Sequence, residues 1–205
     1  QLQAFAAPAR ARSDLILLVV GFGLVELIYW YGYDALDALL LSFAPDHYEA
    51  FYVGASFLTL FAQLLSFCIL GGGVALVVWL LHARGPLSLI GNLPVAVAQF
   101  LACFGLLIPL LIGLELIPPW WSFDALDSTR PLLKWLALLP LALIAIFVQI
   151  GSEELLYRGY LQQQLAARFS HPLVWLLVPS LLFGIAHWDS AAPAAQNTQY
   201  IIWAF

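Results

Sequence analysis

The chain has no methionine, only two cysteines in 205 residues, and few charges: 9% of its residues are Asp, Glu, Lys or Arg. Ordinary soluble domains carry about 25%. A Gly-rich phosphate loop, a basic stretch and an internal repeat are also missing, and the formal net charge is -5. Binding to a polyanion needs a positive surface that this chain does not have, so nucleic acid is excluded as a partner. Cys68 and Cys103 fall in different apolar runs with no metal-type or redox spacing, and are read as small buried hydrophobes. With no methionine, an opening Gln1 and an end inside "YIIWAF", the sequence is expected to be a C-terminally truncated piece of a longer chain.

What fills the chain instead is hydrophobic residue, 63% of the total. A bilayer-spanning helix needs about 20 predominantly apolar residues. Such runs occupy about 15–31, 51–81 and 95–117; a fourth starts near Leu132, a fifth covers about 173–187, and 200–205 opens a sixth. The expected fold is therefore all-α, a polytopic integral membrane helical bundle with at least five transmembrane helices in a single membrane domain over 1–205. Within it, about 1–131 holds the N-terminal spans, about 132–189 a helical hairpin, and 190–205 the start of a further span. The run at 51–81 is long for one upright span, so it is either strongly tilted or broken at Gly71 to Gly73, where three glycines weaken a helix. The first run has no small-residue cleavage site and carries Glu26, which favours a span over a signal peptide.

Basic residues favour the cytoplasmic side of a membrane. Arg10, Arg12, Arg84 and Arg168 flank one set of span ends, and the intervening loops carry Asp34, Asp37, Asp46, Glu49, Asp124 and Asp127, with Arg130 and Lys134 against the trend. The tally places the N-terminus in the cytoplasm. Trp120 and Trp121 fit headgroup-level anchors. His47 and His82 are lone loop or helix-end histidines, each read as solvated because no second ligand stands at helical spacing.

Chemistry concentrates in "GSEELLYRGY", positions 151–160, at the end of the fourth apolar run. From Leu132 the sequence stays helix-compatible to Phe169, interrupted only by Pro140, Gly151 and Gly159, and then meets "SHP" at 170–172. Proline starts helices well and the residue before it resists the helical conformation, so this is a turn. "LVWLLVPSLLFGIAHW" then returns as an antiparallel partner. Across that turn the position level with His187 is 154, and Glu153 is displaced by one residue, about 1.5 Å. Both sit about 25 Å along a helix from the turn.

Glu154 and Arg158 are four apart with the acid first, the favourable order for an ion pair. Adjacent helical residues point about 100° apart, so Glu153 cannot share that arginine equally and is freer to face His187. A carboxylate facing an imidazole can bind, polarise and deprotonate water. In a soluble helix the Glu154–Arg158 pair would be a solvated surface pair worth a few tenths of a kcal/mol. Inside a span, charge costs about 2.5–3.5 kcal/mol, and acids retained there are functional candidates. The alternative that the helix has left the bilayer by Ser152, with an amphipathic extension after it, stays open.

"EELLYR" is an EExxxR motif and "FGIAH" an FxxxH motif, and together they resemble the first two signatures of the CPBP family, the CAAX proteases and bacteriocin-processing enzymes also called the Abi family. The resemblance covers roughly 141–189. It implies an intramembrane endopeptidase that hydrolyses a peptide bond with glutamate-activated water inside the bilayer. It implies Glu153 as general base, Glu154 and Arg158 as holders of geometry and charge, His187 as a positioner of water or carbonyl, and Phe183 as a cavity-lining, substrate-binding residue. Both zinc, with Glu153, Glu154 and His187 as candidate ligands, and a metal-free mechanism are compatible with it. The family's further motif, a histidine followed four residues later by Asn, has no counterpart after His187. The implied partners are membrane lipid and a peptide or membrane-protein substrate, with oligomeric state open and the bacterial plasma membrane as the expected location. Two other classes remain: a non-catalytic scaffold or bacteriocin-immunity-type protein of the same fold, and a transporter using Glu26 and Glu115 for protons.

Overall fold

A computed structural model describes residues 2–116 and 131–204. The expectations for Trp120, Trp121, Asp124, Asp127 and Arg130 lie outside the described residues. A short N-terminal helix α1 (Leu2–Ala6) and a 3-10 turn lead to α2 (Leu15–Phe43), which Asp14 caps by accepting from the Ile16 N–H. α3 (Tyr48–Val53) ends on Gly54 in the left-handed conformation, and a Ser56–Thr59 capping box starts α4 (Phe57–Ser66), which runs on as α5 (Cys68–Leu80). Then come α6 (Leu93–Glu115), α7 (Leu132–Glu154), a π-helical turn (Leu155–Leu161), α8 (Gln162–Arg168), α9 (Pro172–Ala186) and α10 (Ala194–Trp203). No strand occurs among the described residues.

Four stretches are long and apolar enough to cross a membrane: Leu15–Phe43, Phe57–Leu80, Leu93–Leu114 and Leu132–Arg168. The shorter apolar helix α9 is the fifth element, and together they make a polytopic helical membrane protein, as expected. Several boundaries differ from the sequence reading. α2 continues past Tyr31 because no stop signal precedes Ala44 and Pro45, so Asp34 and Asp37 sit on its last turns, where Asp37 accepts from the Tyr52 hydroxyl. Pro140 lies inside α7 without ending it. The long second run breaks at Gly54 to Ser56, and the Gly71 to Gly73 triplet stays helical. There a Cβ on Gly71 would stand 2.8 Å from Ser152 Oγ, and one on Gly73 would stand 3.1 Å from Ile28. The glycines therefore let α5 approach α7 and α2 closely, the usual employment of small residues between membrane helices.

α5 is the centre of the bundle, packing on α2, α7 and the π turn, while α4 packs on α7, and α9 on α8, the π turn and α10. Its core joins Val25, Val74, Val78, Leu156, Tyr160 and Leu165. α6 buries none of its spanning residues and meets α7 at Phe100 and Phe147, whose ring centroids are 6.3 Å apart. Cys68 and Cys103 are both exposed, where they were expected to be buried; an apolar helix surface tolerates a small apolar thiol as well as a core does.

One end of the bundle is fastened by a polar network. Arg12 donates to the Leu81 carbonyl at 2.8 Å, bringing the start of α2 against the end of α5. With α1 packed on α8, this gathers Arg10, Arg12, Arg84 and Arg168 at the same end. His82, read from sequence as solvated, is 4% exposed: its Nε2 lies 2.8 Å from the Tyr160 hydroxyl and its Nδ1 lies 3.2 Å from the Arg12 carbonyl and 2.9 Å from the Gln164 amide. Those partners come from segments about 70 to 80 residues away in sequence, which local spacing does not reveal. Tyr160 reaches His82 across α2 only because residue 21 has no side chain; a Cβ there would lie 2.0 Å from the Tyr160 oxygen.

Gly21→Ala should therefore destabilise the protein by about 1–3 kcal/mol, the usual range for overpacking. In Gly21→Ala/Tyr160→Phe the loss should be smaller than the sum of the two single losses; strictly additive thermal shifts would contradict the contact. Burial holds the His82 imidazole below its ordinary value, the nearby Arg84 and Arg12 charges add to that, and the bond to the Arg12 carbonyl opposes it. The unfolded chain then takes up a proton near pH 6.5 that the folded chain resists. This contribution to stability is full above about pH 6.5 and is lost as pH falls through the lower folded value. The thermal midpoint of wild type should drop more steeply between about pH 7 and about pH 5 than that of His82→Gln; parallel curves would contradict it.

Candidate active site

The site is assembled where the long helix changes its winding. α7 ends at Glu154 and the π turn Leu155–Leu161 follows without a break in the chain's course. Single π turns inside α-helices recur at functional sites because they reorient the side chains around them. Gly159 belongs to this turn, and a Cβ there would stand 3.2 Å from the Leu89 carbonyl, so the turn packs directly on neighbouring backbone.

The two glutamates face different spaces. Glu153 is half-buried and lines a cavity of about 780 Å³ with Glu26, Tyr29, Gln149, Tyr157 and His187. Its Oε1 accepts from the Gln149 amide at 3.5 Å. Glu154 instead lines a mostly apolar cavity of about 560 Å³ with Gly71, Gly151, Leu155 and Arg158. The structure thus brings Glu153 and His187 to one cavity and turns Glu154 away from it.

Arg158 holds three elements together. Its Nε stands 4.0 Å from Glu154 Oε2, with both side chains partly exposed, so the ion pair alone contributes little. Its Nη2 donates to the Ala204 carbonyl at 3.3 Å, and its guanidinium lies 5.4 Å over the Phe183 ring. Phe183 packs against His187 and Tyr157 at centroid distances of 4.4 and 5.1 Å and is not among the residues lining the Glu153 cavity. It fixes its neighbours from behind. His187 caps α9, and its Nδ1 lies 2.9 Å from the Phe183 carbonyl. With the proton assigned to Nδ1, which donates to that carbonyl, Nε2 is left with a lone pair.

Among the described residues no three His, Cys, Asp or Glu side chains come together as a metal site. Catalytic zinc normally takes three protein ligands, and with Glu154 turned to the other cavity the candidate set Glu153, Glu154 and His187 does not fit one.

Sequence reasoning missed Glu26 as a member of this cavity, along with Tyr29, Gln149 and Tyr157. One signal was available. Phe22, Glu26 and Tyr29 are spaced four and three apart, which places them on one face of α2, and an acid inside a span is a functional candidate in its own right.

Arg158→Lys should keep the charge while losing the planar stack on Phe183 and the bond to Ala204. Amide hydrogen exchange in α10 should accelerate, with a stability loss of about 1 kcal/mol; unchanged exchange in Ala194–Trp203 would contradict the clamp.

Residues 134–205 match the family model described as type II CAAX prenyl endopeptidase Rce1-like. The uncharacterized protein YyaK of Bacillus subtilis (strain 168) is 33% identical over 106 residues, covering 51% of this chain and 33% of YyaK. The match thus spans about a third of that relative's length. No solved structure matches. The resemblance carried by EELLYR and FGIAH thus has a counterpart in the comparisons: residues 134–205, which hold both motifs, are similar to the Rce1-like, CAAX-protease-type family.

Proposed function

We propose that this protein is an intramembrane endopeptidase of the CAAX-protease type, acting in the bacterial plasma membrane on a peptide or membrane-protein substrate. The observation that carries this reading is the shared cavity of Glu153 and His187 at the depth of a spanning helix.

In this mechanism water enters the cavity and is held between the Glu153 carboxylate and His187 Nε2. Glu153 takes one proton from the water as its oxygen attacks the scissile carbonyl carbon, giving a tetrahedral oxyanion. The neutral phenols of Tyr29 and Tyr157 are the hydroxyl donors in the same cavity, suited to stabilise that charge where bulk water is excluded. The C–N bond then breaks, and the proton held by Glu153 passes to the leaving amine. Glu154 and Arg158 act at a distance, since the pair and its links to Phe183 and Ala204 keep α9 and α10 against the π turn.

In reconstituted membranes, Glu153→Gln should reduce cleavage by about 10²–10⁴-fold, the usual contribution of a general base. Glu154→Gln should cost less and should lower stability as well. Wild-type rates in Glu153→Gln would contradict the mechanism. Failure of the wild type to cleave any membrane-embedded peptide would favour the non-catalytic scaffold.

A further inference from the structure

The proposed mechanism does not use Glu26, although this acid faces the same cavity as Glu153 and His187. It lies on the spanning helix α2, eleven residues after its start. At 1.5 Å per residue this is about 17 Å along the helix, near the middle of a hydrocarbon core about 30 Å thick. A charge at that depth costs about 2.5–3.5 kcal/mol, and acids kept there face interior cavities and mark substrate or ion paths.

Its surroundings offer no counter-charge. The side chain is exposed into the cavity, and no lysine or arginine lines that space among the described residues. Arg158 lines the other cavity with Glu154. Tyr29 and Tyr157 line the same space as Glu26 and Glu153. Two carboxylates and two phenols thus share one cavity. A cation arriving there supplies the counter-charge that the described lining lacks.

We propose that Glu26 is a specificity-determining residue: with Glu153 it makes the cavity select a peptide that carries a basic side chain beside the bond to be cut. The substrate supplies the positive charge that the protein omits. Glu26 binds the ammonium or guanidinium group, and through it the segment is held with its carbonyl near the water on Glu153. This inference rests on the cavity being a peptide site.

The test uses the full chain reconstituted in nanodiscs and a series of fluorescent apolar peptides, identical except for a single lysine or its uncharged isostere norleucine. The variable residue is moved one position at a time along the sequence. Binding is read by anisotropy and cleavage by product release. At one position the wild type should bind the lysine peptide about tenfold or more tightly than the norleucine peptide, the scale of a charge-assisted hydrogen bond, with the difference in KM rather than kcat. Glu26→Gln should bring the two peptides to within about twofold of each other, and Glu26→Asp should retain part of the preference. Both peptides are measured on the same variant, so a loss of folded protein lowers both signals and leaves the ratio informative. No lysine preference in wild type, or an unchanged ratio in Glu26→Gln, would overturn the proposal. If lysine-dependent binding disappears in Glu26→Gln but no peptide is cleaved, selectivity stands and the protease reading falls. If cleavage depends on Glu153 while the ratio ignores Glu26, the protease reading stands and this inference falls.

Discussion

The packing of α9 against the π turn of the long helix is the contact on which the rest of the site depends. Without it Glu153 and His187 belong to separate helices in a medium where an unpartnered carboxylate is expensive. With it they border one cavity of about 780 Å³. The contact is aromatic and cationic as well as apolar: Phe183 meets Tyr157 edge-on and His187 at a tilt, and the Arg158 guanidinium lies over Phe183. In hydrocarbon, helices gain no hydrophobic driving force from meeting each other, so packing and polar links of this kind carry the association.

The opposite flank of the π turn is set by small residues and buried polar groups. Gly21 leaves room for Tyr160, His82 receives its hydroxyl, and Gly71 lets α5 rest on Ser152 one residue before Glu153. Each fixes backbone near the site without entering the cavity. The arginine-bearing end of the bundle and the cavity are thus mechanically joined through a single segment, residues 152–164. Arg84 extends the same fastening by donating to Ser88 and Gln163.

Much of this was legible in the sequence because it follows local rules. Hydrophobic run length gave the membrane class, proline at 172 gave the turn, and counting back from that turn brought His187 level with the two glutamates. The 100° offset between adjacent helical residues separated their directions, and the structure turns Glu153 and Glu154 to different cavities. The rest depended on contacts distant in sequence. A π turn has no composition signature, so neither its presence nor the position of Phe183 behind His187 was readable. His82 looked solvated because its partners Tyr160 and Gln164 lie on a helix far along the chain. The glycine triplet left a break open beside a tilted span because glycine's backbone freedom is a local property, while its role between helices is set by Ser152 and Ile28. Glu26 could be flagged by depth alone, but its cavity could not be assigned before α2 was placed beside α7.

The central claim is directional: of two adjacent glutamates, Glu153 shares a space with His187 and Glu154 does not. It is tested most directly by cysteine crosslinking in native membranes, in a background with Cys68 and Cys103 replaced by alanine. Glu153→Cys/His187→Cys should be joined by a short-arm bifunctional thiol reagent, and Glu154→Cys/His187→Cys should not. Equal crosslinking of both pairs, or joining of the 154–187 pair alone, would contradict the site as described.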